Sequence, residues 1–309
     1  MTKKVYFYPG KSSGNSVAVV RGVPIIRELK KMGFCDGEVI SFGDIGRLRK
    51  VKNSIIIIMK QILQSNLLID LLNNNNVLIY DICDQVSLRF NLLQERGFHR
   101  QWLKDYFNKF NGLICPNHYV VELIMGIGYC GNLTVIHHHC DEKFQWREHK
   151  KLCIGYIGLL GNSEFTDLVR NMDKDRIYNG HAAEVSNYSC HFSIRGSRTG
   201  VWPIFEGHGR KPMYWDALTK PNSKLATAVA VGANIITTMD QSVMELLPKN
   251  YPYLTGSSRK EVEETIHFVR KSFGGHEWKM GLKMIRSLKS ELSLENIVQK
   301  YIVFLSNFA

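Results

Sequence analysis

The stretch KPNSKLATAVAVGANIITT, Lys220 to Thr238, reads as one helix followed at once by one strand. Asn222 is suited to cap the helix, with Ser223 and Lys224 in its first turn. Alanines carry the run forward and Gly232 stops it, and Asn234–Thr238 is then a short apolar strand. Lys224 is poorly placed for stability, because its charge opposes the helix dipole at that end. It makes sense where an anion sits: free backbone N–H groups and an ammonium together hold a phosphate. The other reading is a solvated lysine on an ordinary helix.

The same alternation extends outward. In the second half, strands are expected at Leu152–Ile157, Arg176–Tyr178, Cys190–Ile194 and Tyr251–Leu254, with Gly158 and Gly161 after the first. Helices are expected at Glu164–Asn171, Ser242–Leu247, Arg259–Ser272, His276–Ser287 and Leu292–Phe308. In the first half, strands are expected at Val5–Tyr8, Val39–Phe42, Ser54–Ile58, Val77–Asp81, Gly112–Cys115 and Leu133–Ile136. Helices at Ser16–Met32, Lys60–Asn73 and Asn117–Gly126 separate them. Near-continuous apolar strands imply sheets covered on both faces, and strands separated by helices imply βαβ units. The charged interval Asp141–Lys151 is a natural linker. The expected fold class is therefore α/β, with two Rossmann-like domains facing a cleft. Domains are expected at 1–142 and 143–290, with a terminal helix over 291–309. Ligands in open α/β sheets bind beyond the carboxyl ends of the strands.

Composition narrows the class of protein. Of 309 residues 44% are hydrophobic and 22% charged, which is a globular balance. The net charge of +12 favours polyanionic partners: nucleotides, acidic glycans, an anionic membrane or nucleic acid. Seven scattered cysteines without a C-x-x-C pair fit reduced thiols in a cytosol. The run Val5–Tyr8 is too short for the apolar core of a signal peptide, and Ile55–Ile58, bounded by Lys52 and Lys60, is not expected to span a bilayer. A cytoplasmic location is expected, peripheral at the inner face if the protein works at a membrane. There is no fixed-period repeat, and Asn73–Asn76 reads as a polar turn.

The Lys220–Thr238 segment resembles the donor-binding helix of GT-B glycosyltransferases, which often carries two glutamates. Here Lys220 stands where the first would be and Thr227 near the second, which is closer to a bacterial variant, K-P-x-x-K-L, of the family 1/4-like enzymes. Other landmarks follow in order. Leu113–Asn117 resembles the strand and turn near the end of the acceptor domain. Val135–Asp141 resembles the interdomain segment, and Ile154–Gly158 the opening strand and glycine turn of the donor domain. The resemblance implies an N-terminal acceptor domain, a C-terminal nucleotide-sugar domain, and a final helix that crosses back onto the first. It also implies a role in bacterial cell-surface polysaccharide or lipopolysaccharide synthesis.

Candidate site residues follow from position and chemistry. Gly10, Lys11, Ser12 and Gly14 form a loop between strand one and a helix, suited to donor phosphate or acceptor contact. It is not an ATP-cleaving P-loop, because Val5 stands where that motif needs glycine. Asp81 and Asp84 end a strand and are candidates for the general base that inverting transfer needs, Asp81 slightly ahead. Asp84 equally suits a helix cap. His137–His139 are consecutive, so they cannot all face one metal, but one of them, His138, can serve as base or phosphate contact. Arg195, at a strand end, is suited with Lys224 to neutralise a leaving diphosphate. Lys220, Thr227 and Asp240 complete the expected donor site, with Asp240 also a candidate cap and Glu245 a further acidic contact. The loop Glu206–Pro212 is expected to close over the donor.

The expected function is hexosyl or related sugar transfer from a nucleotide-diphosphate sugar, independent of metal and cofactor, to a glycan or lipid-linked acceptor. The basic surface allows peripheral contact with an anionic membrane. Two alternatives stay open: a nucleotide-sugar epimerase of the same fold, and a basic nucleic-acid binder. Nucleic acid is not expected as a partner, because no helix-turn-helix, zinc-finger or RNP signature is present. A dinucleotide oxidoreductase is disfavoured, since no G-x-G-x-x-G follows a strand.

Overall fold

The computed structural model describes residues 3–9, 18–83, 100–157, 163–169, 171–173, 185–195 and 221–308. The chain divides into two compact units, Met1–His137 with Leu294–Ala309, and His138–Ser293. In the first, β1 (Lys3–Tyr8) precedes a π-helical turn (Ala18–Gly22) and α1 (Val23–Lys31). Then come β2 (Cys35–Val39), α2 (Ile45–Leu48), β3 (Ile55–Met59), α3 (Ser65–Asn73) and β4 (Val77–Asp81). After them follow α4 (Arg100–Phe107), β5 (Gly112–Cys115), α5 (His118–Ile127) and β6 (Asn132–Val135). The second unit runs β7 (Ile154–Ile157), β8 (Asn171–Asp173), β9 (Cys190–Ser193), α6 (Ser223–Val231) and β10 (Asn234–Thr238). It continues with α7 (Gln241–Met244), β11 (Leu254–Thr255), α8 (Arg259–Ser272) and α9 (His276–Glu291). The last helix, α10 (Leu294–Ser306), belongs to the first unit.

Both sheets are parallel wherever strands pair. Their orders are β2-β1-β3-β4-β5-β6 and β11-β10-β9-β7-β8. In each, the order reverses beside the unit's first strand, between β1 and β3 and between β7 and β9. Such switch points open a crevice at the carboxyl ends of the two strands.

The first sheet is buried on both faces, which explains its uninterrupted apolar strands. Residues of β3 alternate between two clusters: Ile56 and Ile58 pack with Leu68 and Leu71 of α3 and Val120 and Ile124 of α5. Ile55, Ile57 and Met59 pack with Ile25 and Leu29 of α1. That second cluster is completed by Ile297, Val298, Tyr301, Phe304 and Leu305, one stripe of α10 at helical spacing. Gly112 opens β5 directly beneath α10: a Cβ there would stand 2.7 Å from the rings of Phe304 and Phe308. In the second unit Tyr156, Phe192 and Ile236 form one core with Leu225 and Val229 of α6 and Val262, Ile266 and Ile285 of α8 and α9.

Several expected elements shift, each for a local reason. β2 covers Cys35–Val39 rather than Val39–Phe42, because an edge strand is only half buried and lacks the apolar run that marks a central one. Phe42–Asp44 is a 3-10 turn. The helix expected from Lys60 begins at Ser65, since Lys60 has φ of 61°, outside the helical region. Among the described residues of Glu164–Asn171 there is no α-helix: Phe165 takes φ of 54°, a short 3-10 turn follows, and Asn171 already starts β8. The strand expected at Arg176–Tyr178 and the glycines Gly158 and Gly161 lie outside the described residues. Helix α4, with Trp102, Leu103, Tyr106 and Phe107 facing inward, had no counterpart in the sequence reading.

Candidate functional site

The second unit gathers charged groups at the carboxyl ends of β9 and β10, beside its switch point. Arg195 follows β9 and Asp240 follows β10, and their Nε–Oδ2 distance is 3.0 Å with side chains 7% and 2% exposed. Thr238 ties the two together: its hydroxyl accepts from the Arg195 N–H at 3.1 Å and donates to Asp240 Oδ1 at 2.8 Å. An Arg195 Nη2 donates to the carbonyl of Pro221 at 3.4 Å, so the guanidinium lies at the entry to α6. Asp240 is thus a positioning carboxylate for Arg195; it also occupies the N-cap position of α7 without a side-chain capping bond.

Asn222 sits at the N-cap of α6, but its side chain makes no capping bond, contrary to expectation. Its amide holds the backbone of His138 instead, Oδ1 accepting from the N–H at 2.9 Å and Nδ2 donating to the carbonyl at 3.4 Å. The first-turn N–H groups of α6 are therefore left without a cap from that residue, the condition in which a helix start binds an anion. Half-buried Lys224 stands in this first turn with its ammonium 4.7 Å from the centroid of the Tyr156 ring. A cation over an aromatic face is both oriented and partly desolvated. Thr227 lies one turn further on, and its hydroxyl donates to the Ser223 carbonyl at 2.9 Å within the helix.

The three histidines are all buried, at 6%, 8% and 5% exposure. His139 Nδ1 lies 2.8 Å from the Cys140 carbonyl. Among the described residues no group of three or more His, Cys, Asp or Glu is placed to hold a metal ion. Deeper in the sheet, His191 of β9 is 2% exposed, and neither ring nitrogen has a hydrogen-bond partner among the described residues. Burial lowers its pKa from 6.5 to about 3, with smaller contributions from His149 and Lys224, so the ring is neutral.

In the first unit Asp81 ends β4 fully buried. Its Oδ2 accepts from Arg21 Nε at 2.7 Å and from the Tyr301 hydroxyl at 2.8 Å. Its Oδ1 accepts from the N–H and the thiol of Cys83, both at 3.1 Å. Arg21 also donates to the carbonyls of Ile136 and His137, at 3.0 and 3.3 Å. Burial works against the guanidinium charge, but Asp81, Tyr301 and Cys83 outweigh it and raise the Arg21 pKa. This network joins the π-helical turn, β4, the end of β6 and α10. Arg21 and Tyr301 were missed in the sequence, yet a signal was there: Arg21 is a single charge inside the apolar run Val17–Val23, and a buried charge requires a partner.

The candidates Asp84, Lys220, Gly10, Lys11, Ser12 and Gly14, and the loop Glu206–Pro212, lie outside the described residues. The structure brings together Arg195, Asp240 and the start of α6, and sets Lys224 on Tyr156 in that helix's first turn.

Two parallel sheets of this order, each flanked by helices, make this an α/β chain of two Rossmann-like domains, the GT-B fold. Among solved structures it resembles Anabaena HepE in complex with UDP and glucose, at 11% identity and a TM-score of 0.66, over 99% of this chain and 100% of that one. It resembles sucrose-phosphate synthase from Thermosynechococcus elongatus at 8% identity and a TM-score of 0.65, over 99% of both chains. An alpha-glucosyltransferase in complex with UDP and a 13-mer DNA containing an HMU base matches at 8% identity and a TM-score of 0.60, over 99% of this chain and 100% of that one. At such identities the likeness is one of fold. No protein-family model matches the chain, and no curated protein sequence matches it.

Proposed function

We propose that the protein is a glycosyltransferase that moves a hexosyl or related sugar from a nucleoside-diphosphate sugar to a glycan or lipid-linked acceptor. The observation that carries the reading is the start of α6, where helix N–H groups lacking the Asn222 cap, Lys224 on Tyr156 and Arg195 at the Pro221 carbonyl converge. In this reading the donor diphosphate lies against that helix start. Lys224 and Arg195 offset the charge that grows on the leaving group, the role a divalent ion would otherwise take. Asp240 and Thr238 hold Arg195 in place. Solved neighbours with UDP or UDP-glucose bound support a nucleotide-sugar donor.

Asp81 is assigned a structural role, because both its oxygens already accept hydrogen bonds from Arg21, Tyr301 and Cys83. The general base of the reading is then Asp84 or His138. In this reading the loop residues Gly10, Lys11, Ser12 and Gly14 contact donor phosphate or acceptor, and Lys220 takes part in donor binding. The chain works in cell-surface polysaccharide synthesis in the cytoplasm, with peripheral contact at an anionic membrane. Among the described residues no helix is long and apolar enough to cross one.

A thermal-shift panel of nucleoside diphosphates on wild type and Lys224→Ala tests the donor site. A ligand at 100 times its Kd stabilises by about 2.7 kcal/mol, a readable rise in Tm. The expected result is a rise with one nucleotide that disappears in Lys224→Ala. A flat panel on folded wild type refutes the assignment.

A further inference from the structure

Helix α9 carries a charge pattern unlike that of its neighbour. Lys279, Lys283, Arg286 and Lys289 are all exposed, and at 100° per residue they fall within an arc of about 120°. Trp278, Ile285 and Leu288 are buried outside this arc, and Glu277 and Glu291 also lie outside it. The four cations span about 15 Å of helix and make no ion pair among the described residues. On α8, by contrast, Arg259 pairs with Glu263 and Asp167, and Lys260 with Glu264.

The basic stripe continues onto the segment before β7. Trp146 lies under Arg286 and Lys289, 5.0 and 5.9 Å from its centroid. It also packs against Gly232, where φ is 76° and a Cβ would stand 2.5 Å from the indole. Exposed Arg147 follows, its N–H bonded to the Val231 carbonyl. The indole is thus enclosed by Gly232 and two cations, and so does not serve as a stacking platform for bases, which single-stranded nucleic acid binders present. A row of exposed cations on one helix face, without ion pairs among the described residues, fits a flat anionic surface.

We propose that the exposed face of α9, with Lys279, Lys283, Arg286 and Lys289 and the adjoining Arg147, docks the protein on an anionic bilayer. This rests on the peripheral-membrane part of the proposed function and names the surface for it. Each cation near the surface contributes about fivefold in partitioning, so the four on α9 contribute several hundredfold over neutral lipid.

Sedimentation with vesicles of phosphatidylcholine, alone or with about a third phosphatidylglycerol, measures this at low and high salt. Wild type is expected to pellet with the anionic vesicles only, and less at high salt. Lys279→Glu/Lys283→Glu leaves the Trp146 contacts intact and is expected to weaken partitioning at least 25-fold. Lys260→Glu/Lys271→Glu, on α8, has the same net charge and is expected to lose only a few-fold. Thermal melts confirm that both variants fold. If wild type ignores anionic vesicles, both the surface and the membrane reading fall. If wild type binds and the two variants weaken equally, the α9 surface falls and membrane contact survives. Binding of wild type to an oligonucleotide but not to vesicles, lost in the α9 variant, overturns the proposal in favour of nucleic acid.

Discussion

Replacing Arg21 by alanine should destabilise the first unit more than any surface change. Arg21 and Asp81 are 2% and 0% exposed, and Arg21 makes donations to four acceptors: Asp81, Tyr301, Ile136 and His137. Among the described residues, removing it leaves the buried carboxylate with the Tyr301 hydroxyl and Cys83 as donors, and takes a donor away from the carbonyls of Ile136 and His137. Breaking one side of a buried pair costs about 3–5 kcal/mol. For a unit of this size that is a fall in Tm of about 6–20 °C. The loss should be shared with Asp81→Asn, which leaves the guanidinium without its counter-charge. Urea denaturation of wild type, both single variants and the double variant closes a cycle, in which coupling of about 2 kcal/mol or more is expected. Near-additive losses, with coupling under about 0.5 kcal/mol, would refute the claim that one network holds these elements. The same Asp81→Asn variant separates structure from chemistry. A general base would lose turnover at unchanged melting temperature; a structural carboxylate loses both together.

Other expected outcomes follow from the second unit. Asp240→Ala should cost about 3–5 kcal/mol, because it removes a buried carboxylate 3.0 Å from the Arg195 guanidinium, and the nucleotide-induced rise in Tm should shrink with it. His191 titrates at about 3 in the fold against 6.5 unfolded, so between those values the unfolded chain binds the extra proton. Stability should therefore fall as pH drops below 6.5, by about 1.4 kcal/mol per unit from this residue, and His191→Phe should flatten that slope in acid denaturation. Gly232→Ala forces a side chain into a φ of 76° and against Trp146. A loss of about 1–3 kcal/mol is expected in thermal melts, and a neutral result would show that the indole is not held there.

The two-sheet α/β architecture was legible because parallel strands buried on both faces must be apolar at every position, as Ile55–Met59 is. The segment Ser223–Thr238 was legible to the residue, since its helix stop and its strand depend on neighbours in sequence: Gly232 ends the helix at φ of 76°. Edge and irregular elements were not. β2 lacks a buried second face, and Phe165 leaves the helical region for reasons no periodicity records. Lys224 could be singled out from sequence because a first-turn cation contradicts the helix dipole. That its ammonium would rest on Tyr156, 68 residues earlier, depends on β7 lying next to β9. Likewise Asp81 stood out as a carboxylate at a strand end. Only the packing of α10 decided that Tyr301 would reach it from 220 residues away, together with Arg21. Local pattern reports which face of an element must be buried; which side chain meets a charge there is set by elements far apart in the chain, and only the folded structure brings them within hydrogen-bonding distance.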